Sequence, residues 1–212
     1  CVNETVARMA NQEENCRGRF WEGRFKSQAL LDEVALLSCM AYVDLNPVRS
    51  QQSEDLIESD FTSVQQRLFD YIKDKKQKNT DEKQLVNRVN KQLKIKQLLS
   101  LKDLPEAPLA QFSDSSDVTA NHVLPFSQED YFALLDSTGR IIREDKQGFI
   151  DEQCPPILKR LGINPDYWLK HIKFFNLNYS FCVGRLERMR YFVSIFDRGL
   201  GKGSQASEQI YR

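Results

Sequence analysis

Between Asp32 and Pro47 the chain carries both brackets of one helix, and no other stretch constrains its fold as tightly. Asp32 is an N-cap residue, and Glu33 behind it sets negative charge against the positive end of the helix dipole. Val34, Leu37, Met40, Ala41 and Leu45 recur at three- and four-residue spacing, the stripe of a helix that buries one face. Pro47 pushes the residue before it, Asn46, out of helical geometry, so the helix is predicted to end there. Ahead of it, Phe20 to Leu30 reads as a strand, aromatic and basic by turns.

The remaining chain reads as mostly helical. Val2, Val6, Met9 and Ala10 predict an amphipathic helix over residues 1–13, and Asn15 to Gly18 a turn. Residues 50–60 are polar and read as a loop. Helices follow from Phe61 through Ile72 and, after Thr80, along Leu85, Val89 and Leu93. Pro105, Pro108 and a Ser/Asp cluster mark a linker. Ser127 and Asp130 then read as the cap and acidic first turn of another helix. Pro155-Pro156 opens a short one that Gly162 stops, and Asn164-Pro165 caps the next. A last helix is predicted around Cys182 to Phe196, with a loose glycine-rich tail after it. These readings divide the chain into residues 1–52, a helical extension 53–104, a linker 105–122 and a helical module 123–212.

Composition bounds the function without naming it. With 41% hydrophobic residues a real core is affordable, and no apolar run approaches the roughly 20 residues of a membrane helix. The expectation is a soluble, cytoplasmic protein with no membrane partner. Five scattered cysteines, none in a C-x-x-C pair, are expected reduced and mostly buried. Net charge is zero, but Arg17, Arg19, Arg24 and Lys26 crowd one segment, and Arg185, Arg188, Arg190, Arg198 and Lys202 another. Aromatic faces stack on unpaired bases and arginines neutralise phosphates, so Trp21 among the first group points to single-stranded DNA.

Tyr42 and Asn46 stand four apart, the spacing that puts a phenol and a carboxamide on one helix face. The segment Gly18 to Arg49, with Tyr42-Val-Asp-Leu-Asn-Pro-Val-Arg49 at its end, resembles the carboxy-terminal part of the single-tyrosine HUH transposases of the insertion-sequence-200 type, particularly the REP-associated branch. The likeness covers fewer than 40 residues, and it rests on the order and spacing of tyrosine, asparagine, proline and arginine.

The resemblance implies an α+β fold, a partial ferredoxin-like HUH-domain remnant followed by a mostly helical region. It implies a DNA transposase that cleaves and rejoins single strands, Tyr42 being the nucleophile and a 5'-phosphotyrosine the intermediate. A phenol with an ordinary pKa of about 10 can be activated and can also leave again. Asn46 would join two histidines in holding a divalent ion, Mg or Mn, while Arg17, Arg19, Trp21, Arg24, Lys26 and Arg49 hold hairpin-forming single-stranded DNA. The family's His-hydrophobic-His pair does not occur in this sequence. Only His122 and His171 are present, both beyond Tyr42 and far apart, and each reads as structural. The expectation is therefore a carboxy-terminal fragment that does not hold the ion stably by itself and works with a homodimer or intact transposase partner. The alternative is a non-catalytic DNA-binding or interaction module derived from a transposase.

Overall fold

A computed structural model describes residues 2–21, 23, 26–60, 62–76, 87–91, 108–113, 123–143 and 155–211. In chain order these form α1 (Val2–Glu13), β1 (Ala29–Leu30), α2 (Glu33–Asp44), α3 (Asn46–Arg49), α4 (Ser63–Lys76), β2 (Gln111–Phe112) and β3 (Val123–Leu124). Then come α5 (Gln128–Arg143), α6 (Pro156–Arg160), α7 (Pro165–Lys173), α8 (Phe175–Asn178), β4 (Cys182–Val183), α9 (Leu186–Ile195) and α10 (Ser204–Ile210). The fold is α+β and dominated by helix. Its described strands make two short parallel pairs, β1 with β4 and β2 with β3. Among the described residues no helix is long and apolar enough to cross a membrane.

Helix α2 forms where its brackets predict. Asp32 is extended, and its carboxylate accepts the Ala35 N–H at 2.9 Å, satisfying one of the orphan donors of the first turn. The C-terminal end differs from expectation. The helix stops at Asp44, Leu45 caps it, and Asn46 opens α3 with Pro47 in its first turn. Proline has no N–H to continue α2, yet first-turn N–H groups need no intrahelical acceptor, so the chain restarts as a new helix instead of leaving helical geometry.

Both faces of α2 are covered. Leu37, Ala41 and Leu45 join Leu134, Leu135, Ile157 and Trp168 in the main core, while Ala35, Cys39 and Tyr42 join Phe175, Tyr179, Val183 and Met189 in a second cluster. A helix apolar on all sides is one that sits in the middle of a core. The tyrosine helix thus packs into the helical region contributed by residues 123–211, and the sheet beside it is only the two-residue β1–β4 pair.

Further expectations are corrected. Among the described residues of the strand read from Phe20 to Leu30, Ala29–Leu30 are strand; Phe20 and Trp21 are exposed and pack edge to face against each other at 4.8 Å. A strand needs a neighbour for its N–H and C=O groups, and β4 supplies one only here, through Ala29 N to Phe181 O and Leu31 N to Val183 O. Within the stretch read as a linker, Gln111 and Phe112 pair with β3, and Phe112 packs on Tyr131. The tail is not loose: α10 buries Ala206, Ser207 and Ile210, and Tyr211 bridges to Ile163. Cys182 and Val183, read as helix, form β4, because Gly184 follows at φ +158 with room for no side chain against Leu31 Cβ. Cys16 is exposed rather than buried, in the turn after α1; Cys39 is half-buried and Cys182 buried. The helix expected around Thr80 to Ile95 is described only at residues 87–91, which are helical, and Arg24, Phe25, His122 and Cys154 lie outside the described residues.

Two glycines of the tail, Gly201 and Gly203, serve close approach. Gly203 has φ +131, and a Cβ there would stand 2.6 Å from Met189 Cε and 2.8 Å from the buried Tyr179 ring. Gly203→Ala combines backbone strain with overpacking and is expected to cost about 2 kcal/mol in a urea melt. A melt indistinguishable from wild type would show that α10 is not locked against α9.

Candidate functional site

Tyr42 stands on the last turn of α2, half-buried. One side of its ring lies against Phe175 of α8, centroids 5.4 Å apart, and the Arg49 guanidinium sits 4.7 Å from the ring centroid. Arg49 Nη2 donates to Asn46 Oδ1 at 2.6 Å. The break at Leu45 makes this possible. It starts a new helix, α3, on which Arg49, three residues after Asn46, reaches over the phenol. No hydrogen-bond partner for the Tyr42 hydroxyl occurs among the described residues. The Arg49 Nε is buried and unpartnered, so this cation has bonding capacity left.

Asn46 is exposed and its carboxamide oxygen faces a guanidinium. That is a poor arrangement for a metal ligand, because a divalent ion placed at the same oxygen would be repelled by Arg49. Among the described residues no group of three or more His, Cys, Asp and Glu could hold an ion. Among the described residues, the donors around Asn46 do not fit the divalent ion that the family resemblance implies. His171 is sealed away, 1% exposed, inside the rings of Tyr167, Trp168, Phe175 and Tyr179. Burial pushes its imidazole down to about 3, and neither ring nitrogen has a partner.

Of the five described residues assigned to DNA, the structure brings Arg49 alone to Tyr42. Arg17, Arg19 and Trp21 are exposed in a loop folded back along α1, where Asn11 Nδ2 donates to Gly18 O and Trp21 Nε1 to Asn3 O. Lys26 is exposed just before Gln28, whose side chain donates to Tyr179 O and Ser180 O. None of Arg17, Arg19 and Lys26 pairs with a carboxylate among the described residues. Arg24 lies outside them.

Two carboxylates were not recognised as anchors of the site. Asp44, inside the tyrosine motif, is 1% exposed and accepts from Ser63 Oγ, Val64 N and, at 2.6 Å, the Tyr131 hydroxyl. Desolvation raises its pKa against those hydrogen bonds and the nearby Arg67, whose own pKa burial lowers. Its signal was a charged residue three after Ala41 and seven after Leu37, in register with the buried stripe. Asp32, read only as a cap, also accepts from Tyr211 Oη at 2.6 Å and Arg185 N at 2.8 Å, tying α2 to both ends of the last helical pair.

No family model, curated protein or solved structure matches this chain.

Proposed function

We propose that the chain acts in DNA transposition, cleaving and rejoining single-stranded DNA with the Tyr42 phenol as nucleophile. The observation that carries the reading is the phenol itself: its ring is held against both Phe175 and Arg49, and no described group competes for its hydroxyl. The likeness of residues 42–49 to the single-tyrosine HUH motif supplies the reaction. Tyr42 Oη attacks phosphorus and loses its proton to solvent; the bond from phosphorus to O3' breaks, and O3' takes up a proton. A 3'-hydroxyl from another strand end attacks the phosphotyrosine, re-forms the phosphodiester and releases the phenol. Arg49, held by Asn46, offers its remaining N–H groups to a phosphate oxygen beside the ring.

The same reading makes β1 and α2 the remnant of a ferredoxin-like sheet with its tyrosine helix. It makes the protein cytoplasmic, and its partners hairpin-forming single-stranded DNA and a second transposase chain. A non-catalytic DNA-binding module is the other reading, favoured by the Arg49–Asn46 bond, which occupies the oxygen that an ion-binding asparagine needs free. Incubation with an end-labelled single-stranded hairpin and Mg or Mn, followed by a denaturing gel, separates them. Wild type is expected to form a covalent protein–DNA adduct that Tyr42→Phe abolishes. Adduct formation by both proteins, or by neither, sinks the catalytic reading.

A further inference from the structure

The β1–β4 pairing brings Lys26, the last cation of the first basic segment, next to the second. Gln28 is bonded to Tyr179 O and Ser180 O, and Ser180 Oγ accepts the Lys202 N–H at 3.3 Å, so the segment holding Lys26 lies beside the α9–α10 connection. Residues 185–202 carry five cations against two carboxylates, Glu187 and Asp197. Arg8, Lys73, Arg88 and Arg140 are in ion pairs, whereas among the described residues none of these five is, as none of Arg17, Arg19 and Lys26 is. Arg188 instead donates to Leu31 O, Arg185 lies over Tyr211 and Arg198 over Phe181. They are positioned with their charge unneutralised.

Helix α9 adds stacking surface to that charge. It buries Met189 and Val193, and geometry turns Tyr191 to the centre of the opposite face, 72% exposed, with Ile195 60% exposed one turn on. Phe196, exposed at the cap, packs on Phe192 and Phe181. Apolar rings on a protein partner would have to desolvate unpaired arginines, at a cost that a chain of phosphates removes by supplying the counter-charge.

We propose that the outer face of α9 and its C-terminal turn form a docking platform for single-stranded DNA, with a base stacked on Tyr191 and phosphates on Arg190 and Arg198. The platform rests on the proposed action on single strands, though not on cleavage. Anisotropy titrations of the full chain with a fluorescein-labelled single-stranded oligodeoxynucleotide test it. Tyr191→Ala is expected to weaken binding about tenfold. Arg190→Gln should lower the slope of log affinity against log salt by about 0.7. Lys73→Gln, which removes a cation already paired with Asp70, should change neither. Tyr191 is exposed, so its variant should melt as wild type does. Unchanged affinity and slope in the Tyr191 and Arg190 variants overturn the platform while leaving Tyr42 chemistry standing. A wild-type dimer that Tyr191→Glu dissociates in sedimentation would overturn it too, by assigning this face to a second copy.

Discussion

Asp44→Ala is expected to destabilise the protein by about 3 to 5 kcal/mol, because it removes an acceptor that three elements share. The carboxylate receives the first residues of α4 through Ser63 and Val64 and the middle of the core through Tyr131, whose burial and proximity to Asp44 hold its own pKa well above the ordinary value. Alanine leaves the Tyr131 hydroxyl and the Ser63 hydroxyl without that partner and Arg67, 8% exposed, without its counter-charge. Asp44→Asn keeps one acceptor for Tyr131 and should cost less, about 1 to 2 kcal/mol. The raised pKa of Asp44 sets the pH dependence. Folding favours its protonated form, so that contribution is whole below the ordinary aspartate value and is lost as pH rises through the folded one. The deficit of Asp44→Asn relative to wild type should therefore be larger at mildly acid pH than at neutral pH. Urea melts of the three proteins at both pH values decide it; equal stability of Asp44→Ala and wild type would remove Asp44 from its place as an anchor.

Such an anchor shows why parts of this fold were legible and others were not. Asp32, Ser127 and Asn164 each announce a helix through a bond to a backbone N–H two or three residues away, so local sequence contains the whole interaction. The β1–β4 pair joins positions 29–30 to 182–183 with strands too short to show a period of two, and nothing near either end signals the other. Phe20 and Trp21 had the composition of a strand but no described neighbour to pair with. The helix α10 was hidden by the glycines ahead of it, although Ala206 and Ile210 already stood one turn apart.

The candidate site divides in the same way. Tyr42, Asn46 and Arg49 lie within eight residues; their spacing offered Asn46 as the neighbour of the phenol, whereas Arg49 is the residue at its ring and bonds to Asn46. That depended on where the chain broke around Pro47. Phe175, which also packs on the phenol, arrives from 133 residues farther along the chain, through a core that the packing of α7 and α8 on α2 creates.

That same ring couples Tyr42 to acid. Phe175 lies 5.4 Å from Tyr42 and 5.6 Å from His171, which is neutral inside its cage. An unfolded histidine binds a proton near pH 6.5, whereas the folded one resists until about 3, so the unfolded state takes up the proton first. Stability is therefore full above the unfolded value and falls as pH drops below it. Between pH 7 and pH 5 the loss through this one group is about 2 kcal/mol. His171→Phe fills the cage with a ring that cannot titrate and leaves no orphaned nitrogen, so it should flatten the dependence over that interval and hold the protein together at pH 5. Urea melts at the two pH values measure the difference, and parallel losses in wild type and variant would place the acid sensitivity elsewhere. If the cage is its source, protein–DNA adduct formation through Tyr42 should fail in acid along with the melt, and His171→Phe should extend it downward, since Phe175 then keeps the phenol in place.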